Sequence, residues 1–137
     1  MEGGDFTQLL PNPDSLGSMI AASMSGPPHP VSRSLREGDQ VGGFTVIETP
    51  GHTLGHLSFW REEDRALVLG DVLFNIHPLT TKRGLRPPFG IATVDQALNR
   101  DSARKVAALE PEVVCFGHGA SLDDTQKFLD YISKLDY

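Results

Sequence analysis

The sequence Thr49-Pro50-Gly51-His52-Thr53-Leu54-Gly55-His56 joins two short runs that both have the composition of β-strands. Residues 44–48 (FTVIE) precede it and residues 57–60 (LSFW) follow it, and β-branched and aromatic side chains dominate both runs. Two further runs, residues 66–69 (ALVL) and 113–116 (VVCF), are continuously apolar, which is typical of strands buried on both faces. The sequence therefore predicts four strands, of which the second and third form a hairpin.

Helical signals follow the third and fourth predicted strands. Thr93-Val94-Asp95-Gln96 fits a capping box and predicts a helix over residues 93–109, interrupted near residues 99–101. Residues 121–136 predict a last helix, because acidic residues fill its first turn and apolar residues recur at helical spacing. Residues 72–92 show no clear period and predict a long loop, a length typical of lids and binding loops.

The composition changes near residue 40. Residues 1–40 contain five prolines with several glycines and serines, and they predict an irregular segment with one short helix over residues 15–23. Residues 41–137 carry all the predicted strands and the two longer helices. We therefore expect an α/β domain over residues 41–137.

Three polar residues share one relation to the predicted strands. His52 follows the first strand, Asp71 the third and His118 the fourth. Residues just past strand ends lie on one rim of a sheet, where ligand sites of α/β folds are common. Two imidazoles and a carboxylate suit zinc, iron or manganese, and three protein ligands are typical of a catalytic metal site. The alternative is three unrelated polar residues that cap turns.

The motifs around these residues resemble those of the metallo-β-lactamase superfamily. Residues 49–56 resemble its TPGHTxGH signature, Leu69-Gly70-Asp71 resembles its strand ending in GD, and Phe116-Gly117-His118-Gly119 resembles its GHG. They occur in the family's order, and the resemblance covers about residues 40–137. It implies the αββα fold, of which this chain would supply the C-terminal half, a mixed sheet with helices on one face.

The resemblance also implies roles for single residues. His52 would bind the first metal, Asp71 would bridge two metals and His118 would bind the second. His56 would lie near the site outside the ligand set. In the family a metal-bound hydroxide, oriented by the aspartate, attacks an ester, thioester or related bond. The expectation is a hydrolase of a small-molecule substrate that uses zinc, or alternatively iron or manganese, with Asp71 in the catalytic role.

One family motif is missing. HxHxDH, which supplies two ligands to each metal, does not occur in the sequence, and neither His29 nor His77 has the spacing to replace it. We therefore expect at most one ion for this chain alone, bound weakly. The chain is then a truncated product, part of a longer protein, or a half-fold that acts only as an interaction or assembly module. A homodimer or a missing N-terminal half would cover the open face of the sheet.

Composition limits the partners. The formal net charge is −6 and the pI about 5.2, which argues against nucleic acid and against anionic membrane surfaces. We expect no signal peptide, because the first residues are acidic and no basic stretch precedes an apolar one, and no apolar run is long enough to cross a membrane. Cys115 is the single cysteine and is expected in the core. Because no disulfide within the chain is possible, a cytoplasmic location is expected. The basic cluster Lys82, Arg83 and Arg86 is either a solvated group or a contact for an anionic substrate.

Overall fold

The structure is a computed structural model that describes residues 30–135. The chain divides into two compact units, Met1–Ser34 and Leu35–Tyr137. All the helices and strands given below belong to the second unit. The helix predicted over residues 15–23, and His29, lie outside the described residues.

The second unit alternates strands with two helices. In chain order its elements are β1 (Gln40–Val41), β2 (Phe44–Glu48), β3 (Leu57–Arg61), β4 (Ala66–Gly70), β5 (Phe74–Ile76), β6 (Arg83–Arg86), a 3₁₀ turn (Gly90–Ala92), α1 (Gln96–Ala107), β7 (Val113–Phe116) and α2 (Thr125–Ser133). The predicted α/β class is confirmed. None of the helices in residues 30–135 is long and apolar enough to cross a membrane.

Five strands form one mixed sheet in the order β1-β2-β3-β4-β7. Strands β1 to β4 pair antiparallel, and β7 pairs parallel to β4. Strands β2, β4 and β7 therefore run in one direction, and their carboxyl ends lie at the same edge of the sheet. The strands predicted over residues 44–48 and 113–116 are confirmed, and the other two extend one residue further than predicted.

Both helices pack on one face of this sheet, as the resemblance implied. The sheet supplies fully buried aliphatic side chains, and burying one such side chain stabilises a fold by about 1.5–3 kcal/mol. The hydrophobic core between the sheet and the helices contains Leu67, Leu69 and Val114 from the strands, Ala103 and Val106 from α1, and Phe128 and Ile132 from α2. Asp95 caps α1 by accepting a hydrogen bond from the Leu98 amide.

The opposite face of the sheet is less buried. The register places Val46, Phe59, Val68 and Cys115 side by side on that face. Val68 is 37% exposed, so this face of β4 is partly open, as expected for the uncovered face of the sheet, whereas Val46 in the same row is buried. Cys115 is half-buried rather than part of the core. An apolar run alone therefore did not distinguish a strand with one covered face from a strand with two.

The prediction of a long loop over residues 72–92 is wrong. Residues 72–92 contain the two-stranded sheet β5–β6 and a 3₁₀ turn. The two strands are short, a register irregularity interrupts their pairing, and Gly84 lies inside β6, so no alternation of apolar and polar residues marks them.

The helix boundaries also differ from the prediction. Helix α1 begins at Gln96 and runs without the predicted interruption near residues 99–101. The cap is Asp95 rather than Thr93, because the Thr93 hydroxyl donates to the carbonyl of Phe89 instead. Helix α2 begins at Thr125, four residues later than predicted.

Candidate metal centre

The three predicted ligands lie close together at the edge where β2, β4 and β7 end. His52 Nε2 is 3.8 Å from Asp71 Oδ2, and His118 Nε2 is 3.6 Å from Asp71 Oδ1. Both separations exceed a normal hydrogen bond. Two donor atoms on one zinc ion lie at most about 4.2 Å apart, so either pair could share an ion.

The three side chains do not surround a single point. Within residues 30–135 no group of three or more His, Cys, Asp or Glu side chains is arranged to hold one ion. Asp71 instead lies between the histidines and offers a different carboxylate oxygen to each.

One oxygen of Asp71 is buried without a partner. Asp71 Oδ1 has no hydrogen bond, and a Cβ on Gly117 would lie 2.2 Å from it. A buried unpaired carboxylate oxygen is costly and calls for a proton or a cation. The backbone of Gly117 approaches this closely because its amide donates to the carbonyl of Gly70. The residues present therefore fit a cation bound beside Asp71.

His52 is held in a ligand-like form. The Thr93 hydroxyl uses its hydrogen on the Phe89 carbonyl, so at 3.4 Å it can only accept from His52 Nδ1. The Nδ1 nitrogen then carries the proton, and the lone pair of Nε2 faces Asp71. Burial lowers the pKa of His52 below its ordinary value, against the opposing effect of Asp71, with a further lowering from His118. A neutral imidazole is the form that binds metal.

His118 is the more open of the two histidines. Its side chain is 54% exposed, whereas that of His52 is 18% exposed. The carbonyl of His118 accepts from the Asn75 amide, and its ring lies 4.6 Å from that of Phe74. Strand β5 therefore holds the loop that carries His118 through a backbone hydrogen bond and a ring contact.

Phe74 belongs to the site but was not among the residues predicted from the sequence. Its buried ring contacts His118 and lies 6.5 Å from the ring of His52, so it forms an apolar floor between them. The signal for it was the apolar run Val72-Leu73-Phe74, which continues directly after Asp71.

The other two described histidines have different surroundings. His56 uses both ring nitrogens in hydrogen bonds, Nε2 with the Asp71 amide and Nδ1 with Thr49. His77 lies in the β5–β6 turn, where its Nδ1 accepts from the amides of Leu79 and Thr80. Both ring nitrogens of His56 and the Nδ1 nitrogen of His77 are therefore engaged in hydrogen bonds.

The family is identified by a family model. The model of the metallo-beta-lactamase superfamily matches residues 6–118. The chain belongs to the metallo-beta-lactamase superfamily. The matched region contains His52 and Asp71 and ends at His118, so it includes all three candidate ligands.

Known members of the superfamily resemble parts of the chain. A probable metallo-hydrolase of Bacillus subtilis (strain 168), YflN, is 39% identical over 79 residues, which cover 53% of this chain and 30% of that protein. A hydroxyacylglutathione hydrolase of Hydrogenovibrio crunogenus is 47% identical over 66 residues, which cover 44% of this chain and 24% of that protein.

Solved structures extend the likeness over more of the chain. The crystal structure of TTHA1623 in a di-iron-bound form matches with a TM-score of 0.62 and 28% identity, covering 83% of this chain and 53% of that chain. This chain thus spans about half of that structure and about a third or less of the curated relatives described above.

Proposed function

We propose that the chain carries part of the metal centre of a metal-dependent hydrolase, with His52, Asp71 and His118 as the ligands. The observation that supports this most directly is the buried, unpaired Asp71 Oδ1, which faces a histidine nitrogen. A structural ion pair is the weaker explanation. Both separations are long for one, and burial lowers the pKa of His52, which disfavours the charged form that an ion pair requires.

Each residue has a definable task. His52 presents the lone pair of Nε2 from a braced loop, and His118 presents its own Nε2 from the exposed side. Asp71 offers negative charge to both positions. A bound zinc or iron ion would lower the pKa of the water molecule it binds to about 7 and would polarise the bond to be cut. The buried ring of Phe74 covers one side of the site, and we expect it to exclude water there and thereby to strengthen electrostatic attraction.

Zinc and iron are both consistent with this ligand set. Imidazole and carboxylate bind either metal well, so the ligands alone do not decide between them. TTHA1623, which the chain resembles at 28% identity, was solved with two iron ions. Zinc is our first choice for this chain because it tolerates few protein ligands, with iron or manganese as the alternatives.

The substrate class we propose is an ester or thioester of a small molecule. Several matched relatives are named hydroxyacylglutathione hydrolase, including those of Hydrogenovibrio crunogenus and Rhodospirillum rubrum. Such bonds are within the chemistry of a metal-activated water. The motif HxHxDH is missing from this sequence, so we expect slow turnover from the chain alone.

Hydrolysis with and without metal tests the proposal. Purified chain is incubated with an acylglutathione and with an activated ester, in Zn²⁺ or in Fe²⁺, beside the variant Asp71→Asn. We expect slow hydrolysis that a chelator abolishes and that Asp71→Asn reduces to the uncatalysed rate. Hydrolysis that survives both the chelator and the substitution would overturn the proposal.

A second candidate function is an assembly module without catalysis of its own. The apolar row of Val46, Phe59, Val68 and Cys115 supports it, because Val68 leaves part of this face open. On this account the chain forms a homodimer or binds a separate N-terminal half through that face. Sedimentation of wild type and Val68→Lys tests the homodimer: a dimer that the substitution dissociates supports it, and a monomer in both proteins contradicts it.

A further inference from the structure

Two hydroxyl side chains are completely buried next to the candidate metal centre. Thr49 and Ser58 each have no exposed surface. They lie at the facing ends of β2 and β3, directly beside the loop that carries His52. A buried hydroxyl is stable only when it is hydrogen-bonded, so the partners of these two groups define what they do.

The hydrogen bonds form one directed chain. The Asp71 amide donates to His56 Nε2 at 2.9 Å, so Nε2 carries no proton. His56 Nδ1 must then carry it and donates to Thr49 Oγ1 at 2.8 Å. At the other end the Ser58 hydroxyl donates to the Leu69 carbonyl at 2.9 Å. Ser58 therefore accepts from the Thr49 hydroxyl, also at 2.9 Å.

The position of every proton in this chain of hydrogen bonds is fixed. An amide can only donate and a carbonyl can only accept, so the two ends fix the direction of each bond between them. The chain runs from the Asp71 amide through His56, Thr49 and Ser58 to Leu69. It starts and finishes on β4 and the residue after it, on either side of Gly70.

We infer that His56 is a positioning residue, whose Nε2 holds the Asp71 backbone and so sets the carboxylate between His52 and His118. Thr49 and Ser58 lock the ring in the Nδ1–H tautomer that this task requires. The inference rests on the proposed function, in which Asp71 is a metal ligand. It assigns His56 no contact with metal or substrate.

The geometry of Gly70 supports this assignment independently. Gly70 has a φ of +66°, and a Cβ at that position would lie 2.7 Å from His56 Nε2. The strand end is thus folded closely against the ring, which brings the next amide, that of Asp71, onto Nε2. Only glycine combines this backbone conformation with such a close approach.

The tautomer is tested on the metal-free full chain. Long-range ¹H–¹⁵N NMR spectra of the imidazoles distinguish a protonated from an unprotonated nitrogen. We expect the His56 ring to be protonated at Nδ1 only, and Thr49→Val to weaken this preference and speed hydrogen exchange of the Asp71 amide. An Nε2–H tautomer in the wild type would overturn the inference, whether or not the chain binds metal.

Zn²⁺ affinity then tests the link to Asp71. We expect His56→Ala and Thr49→Val to weaken Zn²⁺ binding by about 10- to 100-fold, the usual cost of losing a partner of a ligand. His56→Gln retains an acceptor near the position of Nε2 and should lose less than His56→Ala. In a His56→Ala background, Thr49→Val should have no further effect on Zn²⁺ affinity, because the chain of hydrogen bonds is already broken.

A remote core substitution serves as the control for stability. We expect Val106→Ala on α1 to lower the melting temperature. It changes no residue of the chain of hydrogen bonds and should leave Zn²⁺ affinity unchanged. Unchanged affinity in both His56→Ala and Thr49→Val would overturn the inference. A wild type that binds no Zn²⁺ would refute the proposed function instead, and the tautomer and the Asp71 amide would still decide the role of His56.

Discussion

The two sides of Asp71 differ in how firmly the protein holds them. On one side His52 is mostly buried, its carbonyl accepts from the Val94 amide just before α1, and Thr93 fixes its tautomer. On the other side His118 is more than half exposed and is supported mainly by β5. The comparison shows that one pair of ligand positions is preformed, whereas the other remains adjustable.

The largest effect should come from replacing the histidines one at a time. We expect His52→Ala to weaken Zn²⁺ binding more than about 100-fold, beyond the loss expected for a partner outside the ligand set. His118→Ala should weaken it less, because an exposed ligand is less preorganised before the ion binds. Titration of each variant against a chromophoric chelator measures the difference. Equal losses would show that the two sides are not different.

A glycine substitution should disturb the His118 side of Asp71 directly. Gly117→Ala places a methyl group against Asp71 Oδ1, so the carboxylate must move on the His118 side. We expect Zn²⁺ affinity to fall by about 10- to 100-fold. Gly90→Ala is the matched control, since its new methyl group meets only the flexible end of Gln96. An affinity unaffected by Gly117→Ala would mean that Oδ1 does not face the ion.

The smallest effect should come from loosening the firm side. Thr93→Val removes the acceptor for His52 Nδ1, a long contact of 3.4 Å. We expect Zn²⁺ affinity to fall by about tenfold or less, near the lower limit for such partners. Thr45→Val removes a β2 hydroxyl that accepts from Gln40 and is the control. A loss as large as that of His52→Ala would show that the tautomer, rather than burial, holds His52.

The regular parts of the fold were predictable from sequence because their signals are local. Strands β2 and β7 have uniform composition and clear ends, and α2 has an apolar face at helical spacing. Strands β5 and β6 were missed because they are short and irregularly paired. The exposure of Val68 does not follow from the apolar run of β4 alone, because it depends on what covers the sheet.

The candidate site was predictable in part for the same reason. His52, Asp71 and His118 follow strands that run in one direction, so their proximity could be expected from strand order alone. Phe74 and Thr93 could not be placed, because each reaches the site through a long-range contact with a histidine. The separation of the two histidines onto different oxygens of Asp71 depends on side-chain geometry that motif spacing does not specify.

The most direct test of the account is the Zn²⁺ stoichiometry of the wild type beside Asp71→Asn, measured by equilibrium dialysis. The substitution preserves the shape of the side chain and removes the charge shared by His52 and His118. We expect at most one weakly held ion per wild-type chain and a loss of more than about 100-fold in affinity in Asp71→Asn. Equal affinity in the two proteins, or two tightly held ions in the wild type, would contradict the account.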